Sequence, residues 1–152
     1  MMQKKQETEV LTSISRVYRA AKRELNNRLE SHGFSYVDFL ILMQVRDSPK
    51  SMVYLAKEVL MTQAGITAAI DRLEEKGLVK RERDKEDRRI INVQITERGV
   101  KATEEAIQVF NELAVDLVKD LSDEDKAKLV ELLDKLLEKL MKGKINVEPD
   151  QR

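Results

Sequence analysis

The stretch that decides the fold covers residues 55–99 and reads LAKEVLMTQAGITAAIDRLEEKGLVKRERDKEDRRIINVQITERG. Thr62 is a favourable N-cap because its hydroxyl accepts a hydrogen bond from an otherwise unpaired amide at a helix start. Gly77 supplies the left-handed position that often follows a helix C terminus. The sequence therefore predicts a helix over residues 63–76 with both of its ends specified.

This predicted helix has two different faces. Ile66, Ile70 and Leu73 recur at spacings of four and three, which predicts one buried stripe. The opposite face carries short and nearly uncharged side chains, where a solvated face would be rich in Lys and Glu; its residues are Gln63, Ala64, Thr67, Ala68 and Asp71. With the shorter helix predicted over residues 52–59, the layout is typical of a helix-turn-helix whose second helix enters the DNA major groove. A plain antiparallel helix pair is the alternative that these helices leave open.

A charged hairpin is predicted to follow. Residues 78–83 and 90–96 are strand-like, and Ile91, Val93 and Ile95 alternate with polar residues at period two. From Lys76 to Arg89 there are seven basic and four acidic residues, in a chain whose formal net charge is zero. The positive charge is therefore local to this hairpin.

The tip of the hairpin suits contacts with a DNA backbone and minor groove. The basic residues expected to make them are Arg83, Lys85, Arg88 and Arg89. Asp87 lies two positions before Arg89, and we expect the two to pair bidentately so that the carboxylate orients the guanidinium. The alternative is a solvated turn whose mixed charges balance one another.

Several motifs in this stretch resemble those of the MarR family of winged helix-turn-helix transcription regulators. They are Ile70-Asp71-Arg72-Leu73-Glu74, Lys76-Gly77-Leu78-Val79, Arg81, the Asp-x-Arg of Asp87 and Arg89, and Ile95-Thr96-Glu97-Arg98-Gly99. The resemblance covers nearly the whole chain and looks closest to archaeal members, because residues 16–20 (RVYRA) and 36–40 (YVDFL) are also similar to theirs. Many members carry Ser and Arg where this chain has Ala64 and Ala68, a departure that affects the operator sequence rather than the mode of binding.

The recognition face and the resemblance together give a set of expected DNA contacts. Gln63 and Thr67 can hydrogen-bond to base edges, and Ala64 and Ala68 can contact thymine methyl groups. The complete set is Thr62, Gln63, Ala64, Thr67, Ala68, Arg72, Arg83, Lys85, Asp87, Arg88 and Arg89.

Long amphipathic helices are predicted on both sides of this stretch. The first covers residues 9–30, and the second, residues 36–46, starts at Ser35 with Asp38 in capping-box position and is apolar nearly all round. A third is predicted from Thr96 to about Leu121, with inward positions at Ala106, Ile107, Phe110, Leu113, Ala114, Leu117 and Leu121. Ser122 then starts a leucine-lined last helix. The fold class is mainly α (α+β), a winged helix-turn-helix with long terminal helices.

We expect three parts: residues 1–34 and 100–152 for dimerisation, and residues 35–99 for DNA binding. A two-fold dimer reads a palindrome with half-sites about one helical turn apart, which one helix and one wing do not achieve alone. The resemblance likewise implies that the first and last helices form a homodimer interface. The alternative is a monomeric bundle of the terminal helices.

A small aromatic or phenolic effector is also expected. Arg16 and Arg19 lie one helical turn apart, and Tyr36 and Phe110 are expected near the junction of the terminal helices and the winged unit. A cation, a hydroxyl and a ring suit an aromatic anion, and many members of the resembled family bind phenolic compounds there. The alternative is that the arginines make structural pairs and the aromatics are core.

The sequence argues against an enzyme. It contains one histidine, no cysteine, no glycine-rich phosphate loop and no HExxH metal motif, so neither a cofactor nor a metal is expected. With no apolar run at its start, the chain is expected to lack a signal peptide and a membrane span and to be cytoplasmic. The predicted function is a dimeric regulator, most simply a repressor, of palindromic operator DNA. A sequence-tolerant architectural DNA-binding protein and a winged-helix protein-interaction module are the alternatives.

Overall fold

The computed structural model describes residues 2–147, which form six helices and one three-stranded antiparallel sheet. The elements are α1 (Met2–Glu30), α2 (Tyr36–Val45), β1 (Lys50–Ser51), α3 (Met52–Glu58), α4 (Gln63–Glu75), β2 (Val79–Arg83), β3 (Ile91–Ile95), α5 (Glu97–Val118) and α6 (Asp123–Val147). Residues up to Phe110 belong to one compact unit, and those from Asn111 onward belong to a second. The predicted fold class, mainly α with a small sheet, is confirmed.

The corner between α1 and α2 is fixed by local chemistry. Helix α1 begins at Met2, earlier than predicted, because its polar leading residues are good helix formers. Gly33 follows it with φ of +81°, a conformation that glycine adopts without steric cost. Ser35 and Asp38 form the predicted capping box, with Asp38 N donating to Ser35 Oγ (3.1 Å) and Ser35 N donating to Asp38 Oδ2 (3.0 Å).

Most of the hydrophobic core lies within residues 35–99, which we call the winged unit. Ile66, Ile70 and Leu73 are fully buried, as their spacing predicted. Helix α2 contributes the next largest group, in agreement with its sequence, which is apolar nearly all round. The α4 stripe packs in one core with fully buried apolar residues of α2, α3 and β3, which include Ile41, Leu42, Val45, Leu55 and Val93.

The sheet contains one strand more than the predicted hairpin. Strands β2 and β3 pair in the register Val79↔Ile95 to Arg83↔Ile91, and β1 pairs with the other edge of β3. Two residues are too short to produce a period-two signal, and Pro49 before them reads as a breaker, so β1 was not foreseen. Pairing on both sides places β3 at the centre of the sheet.

Helix α5 leaves the sheet through a close contact at its first turn. Thr96 Oγ1 accepts from Gly99 N (3.0 Å) and donates to Gly77 O (2.7 Å), which confirms Thr96 as the cap. A Cβ atom at Gly99 would overlap the carbonyl oxygen of Leu78. Glycine at this position therefore lets the helix start directly against the strand.

The helices outside the core expose much of their apolar surface. Of the predicted inward positions, Ala106 is fully buried and Ile107 and Leu113 are partly buried. The other four are exposed within the chain, contrary to the prediction: Phe110, Ala114, Leu117 and Leu121. Helix α5 ends at Val118. The leucines of α6 between residues 129 and 140 are 40–72% exposed. Within residues 2–147, no helix is both long enough and apolar enough to cross a membrane.

Candidate nucleic-acid interface

A tight turn joins α3 to α4 and sets their angle. Leu60 adopts φ of +56°, a left-handed conformation that is uncommon for a residue with a side chain. Next to it, Met61 N donates to Ala56 O (2.9 Å), and Thr62 Oγ1 accepts from Gly65 N (3.0 Å) at the start of α4. The predicted cap is thus present, and it starts α4 directly after the turn.

The outward face of α4 has the composition that the sequence predicted. Its candidate DNA contacts, together with the capping residue, are all exposed: Thr62, Gln63, Ala64, Thr67, Ala68 and Arg72. Because the buried stripe faces α2 and the sheet, rotation of α4 about its axis is fixed and this short-residue face points to solvent.

The tip of the wing, the hairpin formed by β2 and β3, is organised by Asp84. Its Oδ2 accepts from Glu86 N (3.0 Å) and Asp87 N (3.1 Å), and its Oδ1 accepts from Asn92 Nδ2 (3.0 Å). These bonds, the one from Asn92 first, hold the pKa of Asp84 below its usual value. The carboxylate is therefore charged at neutral pH, and the order that it gives the tip is lost only in acid.

Asp87 and Arg89 form the predicted bidentate pair. Arg89 Nε donates to Asp87 Oδ1 (3.1 Å) and Nη2 donates to Asp87 Oδ2 (3.0 Å). The side-chain bond from Arg89, followed by its backbone bond, lowers the pKa of Asp87. The Arg89 side chain is 90% exposed, and an exposed ion pair contributes little to stability. Its consequence is geometric: the guanidinium is held in one orientation and keeps Nη1 for a further acceptor.

The other basic residues of the tip differ in their surroundings. Arg83 Nη1 donates to Arg88 O (2.8 Å), so Arg83 at the end of β2 is bonded to the loop at the tip. Lys85 and Arg88 have exposed side chains. On the wing, Arg89 is thus fixed by a carboxylate and Arg83 supports the loop. Lys85 and Arg88 extend into solvent.

Two basic side chains tie α4 to its neighbours. Arg81 of β2 forms ion pairs with Asp71 and with Glu74, both on α4. At the other side, Lys76 Nζ donates to Gly33 O (2.6 Å) and lies 3.6 Å from Asp38 Oδ2. Helix α4 is therefore fastened both to the wing and to the α1–α2 corner.

Comparison with known proteins gives the family. Residues 32–90 match the profile of the MarR family. The transcriptional regulator SarZ of Staphylococcus haemolyticus is 33% identical over 110 residues, which are 69% of this chain and 71% of that protein. The chain belongs to the MarR family. Since such relatives are transcriptional regulators, the prediction that this MarR-family chain is not an enzyme is confirmed.

Solved structures agree with this assignment. The transcriptional regulator BldR of Sulfolobus solfataricus superposes with a TM-score of 0.85 at 40% identity, covering 91% of this chain and 99% of that one. A mutant of Escherichia coli MarR, solved in complex with operator DNA, superposes with a TM-score of 0.79 at 28% identity, covering 85% of this chain and 94% of that one.

The residues predicted to bind an effector lie in two places: two on the exposed surface of α1, and two at or against α2. Arg16 and Arg19 are on the exposed surface of α1. Tyr36 is half-buried, and burial, followed by the nearby Tyr18, raises the pKa of its hydroxyl. Phe110 stacks on Phe39 of α2 with ring centroids 5.0 Å apart. The structure thus brings Phe110 to the helix that carries Tyr36.

Three residues with a clear structural role at the interface were not foreseen. Asp84 carries a readable signal, because an Asp that accepts from the amides two and three positions later forms an Asx turn. Arg81 and Lys76 carry none, because their partners are brought close only by the packing of α4 against the sheet and the α1–α2 corner. Within the described part of the chain, no group of acidic or histidine side chains has the arrangement of a metal site.

Proposed function

We propose that this protein is a homodimeric repressor that binds palindromic operator DNA. The observation that carries the proposal is the position of the Arg89 guanidinium. It is held by Asp87 and exposed to solvent on the wing, next to the helix α4 that carries the short-residue face. A cation held outward by a carboxylate has no evident use in a folded monomer, whereas it suits the negative potential of a minor groove. Repression of chromosomal genes also implies a cytoplasmic location.

In this proposal α4 occupies the major groove. Gln63 and Thr67 hydrogen-bond to base edges, and Ala64 and Ala68 contact thymine methyl groups. Thr62 and Arg72 lie at opposite ends of the helix and contact the backbone strands that border the groove. These four side chains carry no charge. We therefore expect the helix to recognise groove shape and thymine methyl groups more strongly than guanine.

The wing supplies the electrostatic part of the affinity. Because the chain has a formal net charge of zero, the attraction to DNA arises from local clusters rather than from an overall positive field. Arg89, oriented by Asp87, enters the minor groove beside the major-groove segment read by α4. Arg83, Lys85 and Arg88 act on the phosphates that flank it.

Replacing Arg89 with Ala tests this proposal. We expect weaker binding to every duplex and a smaller salt slope, by about 0.9 for each arginine removed from the DNA and hence about 2 for a dimer. Binding is measured by fluorescence anisotropy at two salt concentrations on a duplex that the wild-type protein has selected from a random pool. Asp87→Ala keeps the positive charge but frees the fork, so we expect lower affinity with a nearly unchanged slope.

Lys139→Ala serves as the matched control, because it removes one positive charge from α6 instead of the wing. Unchanged affinity of Arg89→Ala would refute the role of the fork. Excess random duplex is added as a competitor in every titration. Equal loss of the selected and random duplexes from the wild-type protein would favour the architectural alternative.

Exposed apolar surface supports the homodimer. Leu129, Leu133, Leu136 and Leu140 recur along one side of α6 and are at least 40% exposed in the single chain. Val10, Leu11 and Val17 are exposed on α1 in the same way. Apolar stripes of this length are unfavourable in water, and a second copy of the chain covers them without any other partner.

The paired substitution Leu133→Asp and Leu136→Asp is expected to abolish the dimer. Light scattering coupled to size exclusion should give twice the 17.6 kDa chain mass for the wild type and a single chain mass for the variant, with its helical circular dichroism retained. The companion change Lys135→Asp and Lys139→Asp alters charge on the same helix and should leave the dimer intact. A wild-type mass of one chain at micromolar concentration would contradict the proposal.

We also propose a small aromatic or phenolic effector that binds near Tyr36. Its hydroxyl is protonated at neutral pH, as in any tyrosine, and burial raises its pKa further, so it can donate a hydrogen bond to a phenolate or carboxylate oxygen. Arg16 and Arg19 supply positive charge, and Phe110 supplies an aromatic face. Calorimetric titration with salicylate should release heat that is lost in Arg16→Ala with Arg19→Ala; no heat at millimolar ligand would exclude this site.

The expected kinship with archaeal members is supported by the likeness to the Sulfolobus regulator. The Staphylococcus and Escherichia relatives that it resembles are bacterial.

A further inference from the structure

Arg81 joins the wing to the recognition helix through both its side chain and its backbone. Its Nη2 pairs with Asp71 Oδ1, and its Nε lies 3.4 Å from Glu74 Oε1. Its backbone N–H donates to Glu74 Oε2 (3.1 Å). One residue of β2 thus contacts two carboxylates that lie one helical turn apart on α4.

The hydrogen bond from Arg81 N–H to Glu74 caps a free amide on the edge strand β2. Strand β2 has β3 on one side only, and an edge strand leaves amides without a partner. Since Arg81 N–H donates to Glu74, this amide faces α4 instead of β3. The helix therefore covers the open edge of the wing at the point where the guanidinium also attaches.

The orientation of Arg81 separates it from the other wing arginines. Its Nε is buried and has no aligned hydrogen-bond acceptor, and its side chain is 27% exposed, compared with 90% for Arg89. The guanidinium is thus directed into the crevice between β2 and α4. It is not extended from the wing as a contact for DNA.

The two carboxylates carry an electrostatic problem for a DNA-binding helix. Asp71 and Glu74 are 58% and 42% exposed, and Asp71 belongs to the outward face of α4. Negative charge close to a phosphate backbone opposes binding, and the opposition is strongest at low salt. The adjacent Arg81 guanidinium offsets this negative charge and does so without itself contacting the DNA.

We propose that Arg81 is a positioning residue for DNA binding, which fixes the wing to α4 and neutralises Asp71 and Glu74 without contacting DNA. This inference rests on the proposed function, because it needs α4 and the wing to bind one duplex together. The major-groove helix and the minor-groove arginine reach adjacent grooves only at a set spacing. Arg81 holds that spacing from within the protein.

A mutant cycle distinguishes this role from a phosphate contact. The variants are Arg81→Gln, Asp71→Asn with Glu74→Gln, and the triple combination, with binding measured on the duplex selected by the wild type. We expect Arg81→Gln to weaken binding about tenfold or more, because two unpaired carboxylates then face the DNA. The triple variant should recover to within about threefold of the Asp71→Asn, Glu74→Gln variant, because no charge remains to be offset.

A phosphate contact would give a different pattern. Arg81→Gln and the triple variant would then bind more weakly than their parents by the same factor, and the salt slope would fall by about 0.9 per site in both backgrounds. That result would overturn the inference, as would wild-type affinity for Arg81→Gln. If the wild type itself does not prefer the selected duplex over random DNA, the proposed function and this inference fail together.

Arg81→Lys keeps the experiment decisive if Arg81→Gln does not fold. Lysine retains the charge but has no fork to engage two carboxylates at once. We expect folded protein by urea unfolding, an unchanged salt slope and an affinity lowered at least threefold. Wild-type affinity of Arg81→Lys would show that charge alone suffices and would overturn the positioning role.

Discussion

Burial of the Ile66, Ile70 and Leu73 stripe is the constraint on which the rest of the structure depends. These fully buried side chains fix the rotation of α4, because turning the helix would expose them to water. The opposite face, with Gln63 and Thr67 among its few polar groups, is thereby set toward solvent. The caps at Thr62 and Gly77 fix where this helix begins and ends, so its surface is defined in both directions. The orientation of α4 and of its short-residue face therefore follows from core packing alone.

Four acidic residues of the winged unit, Asp71, Glu74, Asp84 and Asp87, order its arginines and its backbone. Asp84 organises the tip through backbone amides, and Asp87 holds the Arg89 guanidinium. Asp71 and Glu74 anchor Arg81 between α4 and β2. A surface that is balanced in total charge can therefore still present fixed cations, because several carboxylates are engaged with arginine or with backbone amides. Counting charges along the hairpin does not reveal this division between presented and retained arginines.

Local signals were enough to predict much of this protein. The stripe and caps of α4, the capping box at Ser35 and the Asp87–Arg89 pair depend on residues within one or two helical turns, and sequence patterns carry that information. Strand β1 depends on the free edge of β3, and the contacts of Arg81 and Lys76 depend on tertiary packing, so neither has a local signature. The leucines of α6 illustrate a further limit: their pattern is readable in the sequence, but they remain 40–72% exposed in the described part of the single chain. The DNA and effector contacts stay predictions, since they involve molecules other than this chain.

Hydroxyl-radical footprinting on the duplex selected by the wild-type protein tests the central claim most directly, since it maps both the symmetry and the grooves of the contact. Our account predicts two equivalent protected segments whose centres lie about one helical turn, or about 10 base pairs, apart, each with minor-groove protection on its outer flank. In Arg89→Ala, the minor-groove protection on the outer flanks should disappear, while the rest of each protected segment persists. A single asymmetric segment, or uniform protection without preferred positions, would contradict a two-fold reader with its helix and wing in adjacent grooves.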